Sequence, residues 1–227
     1  MSLLLNIDTA VDKAIISIAK DGEILQEAVN NEQKDHGAFL QPAIQSILKK
    51  AGIHLRELDA IAVVAGPGSY TGLRVGMATT KGLCYALNKP LITISSLHVL
   101  AWQAIQQLSV TKNDIPTLYC PMIDARRMEV FTAVYNEHLK TILEPCALIV
   151  EKNIFANQLL KSEMVFLGNG AVKWQQLCNH ENATFFKAET NALYMSELTY
   201  SKYLQKTFAH IAYTEPMYVK EFYNNSF

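Results

Sequence analysis

The first apolar run, Leu3-Leu4-Leu5-Asn6-Ile7, is short and is closed by Asp8, so it reads as a buried strand. Residues 13–19 (KAIISIA) form a second such run. The Asp21-Gly22 pair after it tolerates positive φ and marks a hairpin, and residues 23–29 pair back. The opening is a three-strand meander with Asp8 at the end of its first strand. The period then changes. Phe39, Leu40, Ala43, Ile44, Ile47, Leu48 and Ala51 recur at helical spacing, which predicts a helix over 37–51 with Pro42 in its first turn and Gly52 as C-cap. A buried strand over 58–65 leads into the loop Gly66-Pro67-Gly68-Ser69-Tyr70-Thr71-Gly72. A helix over 73–87 follows, stopped by Asn88 and Pro90. A strand over 91–94 comes next, then a helix over 97–107 that Ser95 or Ser96 can cap.

The pattern then restarts. A strand over 118–123 ends in Asp124, and strands over 129–135 and 139–143 flank a turn at Asn136-Glu137-His138. An ungapped offset of 116 residues lays Ile7-Asp8 on Ile123-Asp124, Ile15 on Phe131, Ile18 on Val134 and Asp21-Gly22 on Glu137-His138. A helix over 154–161, a strand over 164–167, Gly168-Asn169-Gly170 and a further helix echo the strand, glycine loop and helix of the first half. The agreement is either a duplication or a chance match of two ordinary meanders. A duplicated meander followed by helix–strand units predicts an α/β protein with the two-lobe, actin-like (ribonuclease H-like) fold and mixed sheets. The lobes are expected at 1–108 and 109–227, divided within the polar stretch 106–114.

At 227 residues, half of them apolar and 18% charged, the chain can bury a sizeable core. Its net charge of -1 argues against a protein that holds RNA alone. The densest basic pairs are Lys49-Lys50 and Arg126-Arg127, so a second protein is expected to supply most of any RNA contact. Cys84, Cys120, Cys146 and Cys178 form no C-x-x-C, which argues against zinc or thioredoxin-like chemistry. No signal peptide is expected before the first strand, and no apolar run approaches the roughly 18–20 residues of a membrane span. A reduced cytoplasmic protein that touches no membrane is the expectation. No two of the six histidines lie three or four residues apart, so neither H-E-x-x-H nor another helical metal pair exists, and a metallopeptidase is not expected.

The segment Gly66 to Gly76, GPGSYTGLRVG, sits between a buried strand and a helix, where backbone amides and the helix dipole attract anions. It lacks the Walker A spacing. Thr71 replaces the last glycine of G-x-G-x-x-G, and Ser69 lacks the flanking glycines of a nucleophile elbow. Two readings stay open: a tight turn with Ser69 or Thr71 as helix cap, or an anion site. Asp8 and Asp124 end equivalent strands, and in actin-like ATPases such aspartates help hold metal and phosphate. The working enzymes follow the first aspartate with glycine; Thr9-Ala10-Val11 and Ala125-Arg126-Arg127 contain none. Asp8, Gly66, Gly68, Ser69 and Asp124 are therefore expected to form at most a remnant nucleotide or anion site, with no catalytic residue, metal or cofactor.

Between Gly72 and Leu87 only Arg74 and Lys81 are charged, and Leu73, Val75, Met77, Ala78, Leu83, Cys84, Tyr85, Ala86 and Leu87 ring the helix. A helix apolar all round is buried all round. Gly72 and Gly76 leave a groove for close helix approach. Either the helix over 37–51 fills that groove, or both helices form a partner interface built from Leu40, Ile44, Ile47, Gly72, Leu73, Val75, Gly76, Thr79 and Leu83.

These residues resemble the TsaB (YeaZ) family. The matching points are Ile7-Asp8-Thr9, His36 with Leu40-Gln41-Pro42, GPGSYTGLR, Ile123-Asp124-Ala125-Arg126 with Glu129-Val130, Gly168-Asn169-Gly170 and Glu215-Pro216-Met217-Tyr218, in family order along almost the whole chain. The resemblance implies a non-catalytic subunit of the machinery that makes N6-threonylcarbamoyladenosine in tRNA. In that machinery the paralogue TsaD transfers the threonylcarbamoyl group and TsaE is an ATPase. It further implies pairing with TsaD through the first two long helices, homodimers through that face when alone, and contact with tRNA only through the complex. TsaD-like proteins carry a metal-binding H-x-x-x-H after the strand matching 91–94; Ser95-Ser96-Leu97-His98-Val99-Leu100 has no such pair. The rival reading is an ATP-dependent small-molecule kinase or ATPase on the same fold, against which the missing phosphate glycines argue.

Overall fold

The computed structural model describes residues 1–31, 35–108 and 115–220, so most of the expected division at 106–114 lies outside the described residues. The chain forms two compact units, Met1–Val99 with Thr190–Pro216, and Leu100–Glu189 with Met217–Phe227.

In the first unit β1 (Leu3–Asp8), β2 (Ala14–Lys20) and β3 (Glu23–Asn30) make the antiparallel meander, and Asp21 and Gly22 take up the positive φ that the hairpin demands. β4 (Ala60–Gly66) lies parallel to β1 and β5 (Leu91–Ser95) parallel to β4, giving the order β3-β2-β1-β4-β5. β1, β2 and β4 are buried along nearly their whole length, which is why they read as unbroken apolar runs. On one face of this sheet lie α1 (His36–Ala51) and α2 (Tyr70–Leu87). Their Leu40, Ile44, Ile47, Met77 and Cys84 pack with Leu5, Ile7, Ile16, Ile18 and Val63.

Helix α6 (Ala192–Leu204), which sequence periodicity does not single out, packs on β1, β2, β3 and β5 of the same sheet. It explains the buried polar pair in the strands: Asn6 donates to Ser17 Oγ at 3.3 Å and to Ser196 Oγ at 3.4 Å. The single division at 108/109 therefore does not describe the chain. Residues 190–216 return to the first unit because its second sheet face, carrying Asn6 and Ser17, has to be covered.

The second unit repeats the first strand for strand. β6 (Thr117–Asp124), β7 (Glu129–Tyr135) and β8 (Thr141–Ile149) form the meander; β9 (Glu163–Leu167) and β10 (Ala183–Phe186) follow in parallel, in the order β8-β7-β6-β9-β10. The identical topology makes the internal resemblance a duplication. The ungapped offset is corrected by one residue: Asp8 pairs with Ile15 but Asp124 with Val130, so the second β-turn is one residue shorter and Ile15 corresponds to Val130 rather than Phe131. The helix expected over 154–161 is a single turn, α4 (Ala156–Leu159), and α5 (Ala171–Gln175) is equally short. A cluster of Phe155, Phe166 and Trp174, with ring centroids 5.3–5.9 Å apart, fills the volume that longer helices would otherwise occupy. Helix α3 (Ser96–Gln107) follows β5 directly, and its buried Ser96 donates from Oγ to the Pro67 carbonyl.

The glycines of the GPGSYTGLRVG segment have an internal purpose. A Cβ on Gly68 would overlap the Ala10 carbonyl, one on Gly72 the Thr9 carbonyl, and one on Gly76 the Thr9 hydroxyl. The start of α2 is thus seated directly on the Thr9-Ala10 backbone. Gly82, further along the same helix, has nothing within 4 Å of its Cβ position. Gly72→Ala should therefore destabilise the fold by about 1–3 kcal/mol. Gly82→Ala should stabilise it by up to about 1 kcal/mol through helix propensity alone. Urea midpoints of the two variants check this; equal midpoints would contradict the close seating.

Candidate functional site

The loop before α2 and the turn after β1 form one hydrogen-bonded knot. Asp8 is 2% exposed, and its Oδ1 accepts from the Ala10 N–H at 2.9 Å. The Ala10 carbonyl accepts from the Ser69 N–H at 2.6 Å, and the Thr9 hydroxyl donates to the Gly72 carbonyl at 2.7 Å. Ser69 is the N-cap of α2, its Oγ accepting from the Gly72 N–H at 3.4 Å, which decides for Ser69 over Thr71 as the helix cap. His36, at the start of α1, places Nε2 3.1 Å from the Val11 carbonyl and so holds the far side of the same turn. Asp8, Gly68 and Ser69 are brought together. Gly66, at φ 114, ends β4 just before them, a conformation that only glycine adopts readily.

The knot takes up two of the backbone N–H groups that an anion would use. In a phosphate-wrapping turn the backbone N–H groups point at the ligand. Here the Ala10 N–H is taken by the Asp8 carboxylate, the Ser69 N–H by Ala10, and both Ala10 and Thr9 lie under α2. Burial pushes the Asp8 carboxyl up from its ordinary 3.8 to about 6, against the pull of the Ala10 N–H and Lys13. Asp124, the equivalent residue of the second unit, is exposed. Its Oδ1 accepts from the Arg126 N–H at 2.6 Å and is 2.8 Å from Lys173 Nζ, while its own N–H goes to Asn169 Oδ1. Among the described residues no three His, Cys, Asp or Glu side chains are grouped to hold a metal ion, and no helix is long and apolar enough to cross a membrane.

The expected interface is redrawn. Leu40, Ile44, Ile47, Gly72, Leu73 and Gly76 are buried in the core of the first unit, so they cannot meet a partner. They face inward because α1 and α2 cover the sheet with these residues, and the glycine groove is filled by Thr9. Val75, Thr79 and Leu83 are half-buried at the edge of the outward face. That face itself carries Thr71, Arg74, Ala78, Gly82, Tyr85 and Ala86, of which Tyr85 is 83% exposed. The two charged residues of the helix are both engaged. Arg74 stacks over the Tyr70 ring, 3.9 Å from the centroid, and Lys81 donates to the Ala212 and Thr214 carbonyls of the C-terminal segment. The sequence reading named Ala78 and Tyr85 among the residues that ring the helix but placed neither them nor Gly82 in the expected interface, because a helix apolar all round does not say which side is inside. The four-residue spacing of the small residues 78, 82 and 86 marks the outward side.

Two mixed sheets of one topology, each covered by helices, define the class of duplicated, actin-like α/β proteins. The polyphosphate/ATP-glucomannokinase of Arthrobacter sp. strain KM shares this fold, with a TM-score of 0.50 at 11% identity over 90% of this chain and 100% of that one. A Pseudomonas aeruginosa protein with similarity to the peptidase YeaZ superposes far better, with a TM-score of 0.83 at 23% identity over 97% of this chain and 100% of that chain. The sequence is 31% identical to the tRNA threonylcarbamoyladenosine biosynthesis protein TsaB of Haemophilus influenzae, over 96% of this chain and 93% of the relative. The family model of the tRNA N6-adenosine threonylcarbamoyltransferase TsaD matches residues 23–225. The chain belongs to the TsaD family and, within it, to the TsaB (YeaZ) proteins of tRNA threonylcarbamoyladenosine biosynthesis.

The raised pKa of Asp8 has a testable sign. Between about pH 4 and 6 the folded chain holds this proton and the unfolded chain does not, so wild-type stability falls as pH rises through that window. Asp8→Asn carries no such titration. Its stability relative to wild type should rise by up to about 3 kcal/mol from below to above the window. Urea midpoints of both proteins at either end measure it; a constant difference would mean that the Asp8 carboxyl is solvated.

Proposed function

We propose that this chain is the non-catalytic scaffold subunit of tRNA N6-threonylcarbamoyladenosine synthesis, binding and activating a TsaD-like transferase through the outward face of α2 and the neighbouring rim of α1. The observation that carries this reading is the pairing of a closed turn with an open helix face. Where an actin-like enzyme would wrap phosphate, the Asp8-Thr9-Ala10 turn spends its polar groups on itself and on α2. The opposite side of that same helix is exposed, poor in charge and lined with small residues that let another helix come close. On this reading a TsaE-like ATPase joins the larger complex, and the chain works in the cytoplasm. The isolated chain forms a homodimer through the same face, because α2 presents one surface to either partner.

Ala78→Arg tests the reading, since it places a long charged side chain in the middle of the face and touches none of the core. It should weaken capture of the transferase from the same organism, and homodimerisation, at least about ten-fold, or roughly 1.4 kcal/mol. The melting profile should stay that of wild type. Co-purification and sedimentation read it out, and normal complexes with a folded Ala78→Arg chain would place the interface elsewhere. Asp8→Asn should leave tRNA modification by the reconstituted complex largely intact. A loss of several orders of magnitude, or ATP turnover by the isolated chain, would favour an enzyme on this fold instead.

A further inference from the structure

The turn joining β6 to β7 carries a feature that neither the fold nor the helix face accounts for. Arg126 and Arg127 both adopt left-handed backbone conformations, with φ of 69° and 47°. Asparagine, aspartate and glycine tolerate that region far better than arginine does, so a consecutive pair there is held by its surroundings. The Arg126 N–H is bound by Asp124 Oδ1, the Arg126 carbonyl accepts from the Glu129 N–H at 3.1 Å, and the Met128 carbonyl accepts from the Val150 N–H at 2.6 Å. The tip is rigidly built, and both arginine side chains are exposed.

The charges around it are arranged in an orderly way. The two carboxylates beside the tip each have a lysine of their own: Asp124 is paired with Lys173 and Glu129 with Lys220. Lys173 also donates to the Glu129 carbonyl, so it is fixed in place. Among the described residues neither Arg126 nor Arg127 takes part in an ion pair. The two acids that flank the tip within the turn, Asp124 and Glu129, are thus paired with lysines, and the two exposed guanidiniums are left for an anion from outside.

We propose that the Arg126-Arg127 tip contacts the phosphate backbone of the tRNA directly. This rests on the tRNA-modification reading above and extends it from RNA reached only through the partner to a contact made by this chain. A protein interface would need an apolar centre, and the exposed apolar side chains here are Met128 on the tip and Ile149 opposite Glu129, too few to make one. A phosphate contact needs no such centre: it takes forked N–H donors and positive charge held in a fixed geometry. A contact of two side chains also fits a chain whose net charge is -1. It positions RNA and does not read its sequence.

The test is tRNA binding by the full chain in complex with its TsaD-like transferase, measured over a range of salt, for wild type and for the double variant Arg126→Gln/Arg127→Gln. A second double variant, Lys152→Gln/Lys161→Gln, removes the same charge from exposed positions elsewhere on the second unit. The tip variant should bind about ten-fold more weakly at low salt, with a log–log salt slope shallower by roughly one to two, as expected for one or two lost phosphate contacts. The control pair should match wild type. Unchanged affinity and slope in the tip variant, or an equal loss in both variants, would overturn the proposal. So would loss of transferase capture in place of RNA affinity, since the tip would then be a protein contact. If wild-type chain fails to capture the transferase at all, the scaffold reading falls. The same titrations on the chain alone then still judge the tip.

Discussion

The seating of α2 on the Thr9-Ala10 turn is the contact on which the rest of the first unit depends. Three glycines spaced four apart, Gly68, Gly72 and Gly76, remove every Cβ that would hold the helix away from the carbonyls of Thr9 and Ala10. The reward is a set of short bonds, Ser69 to Ala10 and Thr9 to Gly72, that close the turn in which related folds hold phosphate. Once the helix lies that close, Leu73, Met77 and Cys84 enter the core, and the side bearing Ala78, Gly82 and Tyr85 must look outward. One packing decision therefore closes one surface and opens another.

The duplicated second unit shows that this closure is not imposed by the topology. Its strand order is that of the first unit, and Asp124 ends β6 as Asp8 ends β1. Yet Asp8 is buried with its carboxyl raised to about 6, whereas Asp124 is exposed and ion-paired with Lys173. The difference follows from the connections. A full 18-residue helix lies over the first turn, while the second has only the five-residue α5 after its glycine loop and is one residue shorter. The same architecture has been filled in the first unit and left open, with two exposed arginines, in the second.

Much of this was legible in the sequence. The buried strands announced themselves as unbroken apolar runs, Asp21-Gly22 fixed its hairpin, and the restart at residue 118 revealed the repeat. The direction of α2 was not legible, because a helix apolar all round carries no stripe to say which side is inside. Its glycines were read as a groove for a second helix when they fit the backbone of Thr9 and Ala10, a contact some sixty residues away that no local pattern records. Helix α6 was missed for a related reason: its partner is the polar spot at Asn6 and Ser17, far away in sequence. The left-handed conformation of Arg126 and Arg127 was hidden too, since neither residue is a usual turn former.

The central claim is that closing the Asp8 turn has left this chain with a partner to serve in place of a reaction to catalyse. Reconstituted tRNA modification from purified components, with each protein omitted in turn, tests it most directly. The account predicts product only when this chain and the transferase are both present, and none from this chain with substrates and ATP alone. Threonylcarbamoyl transfer by this chain without the transferase would contradict it.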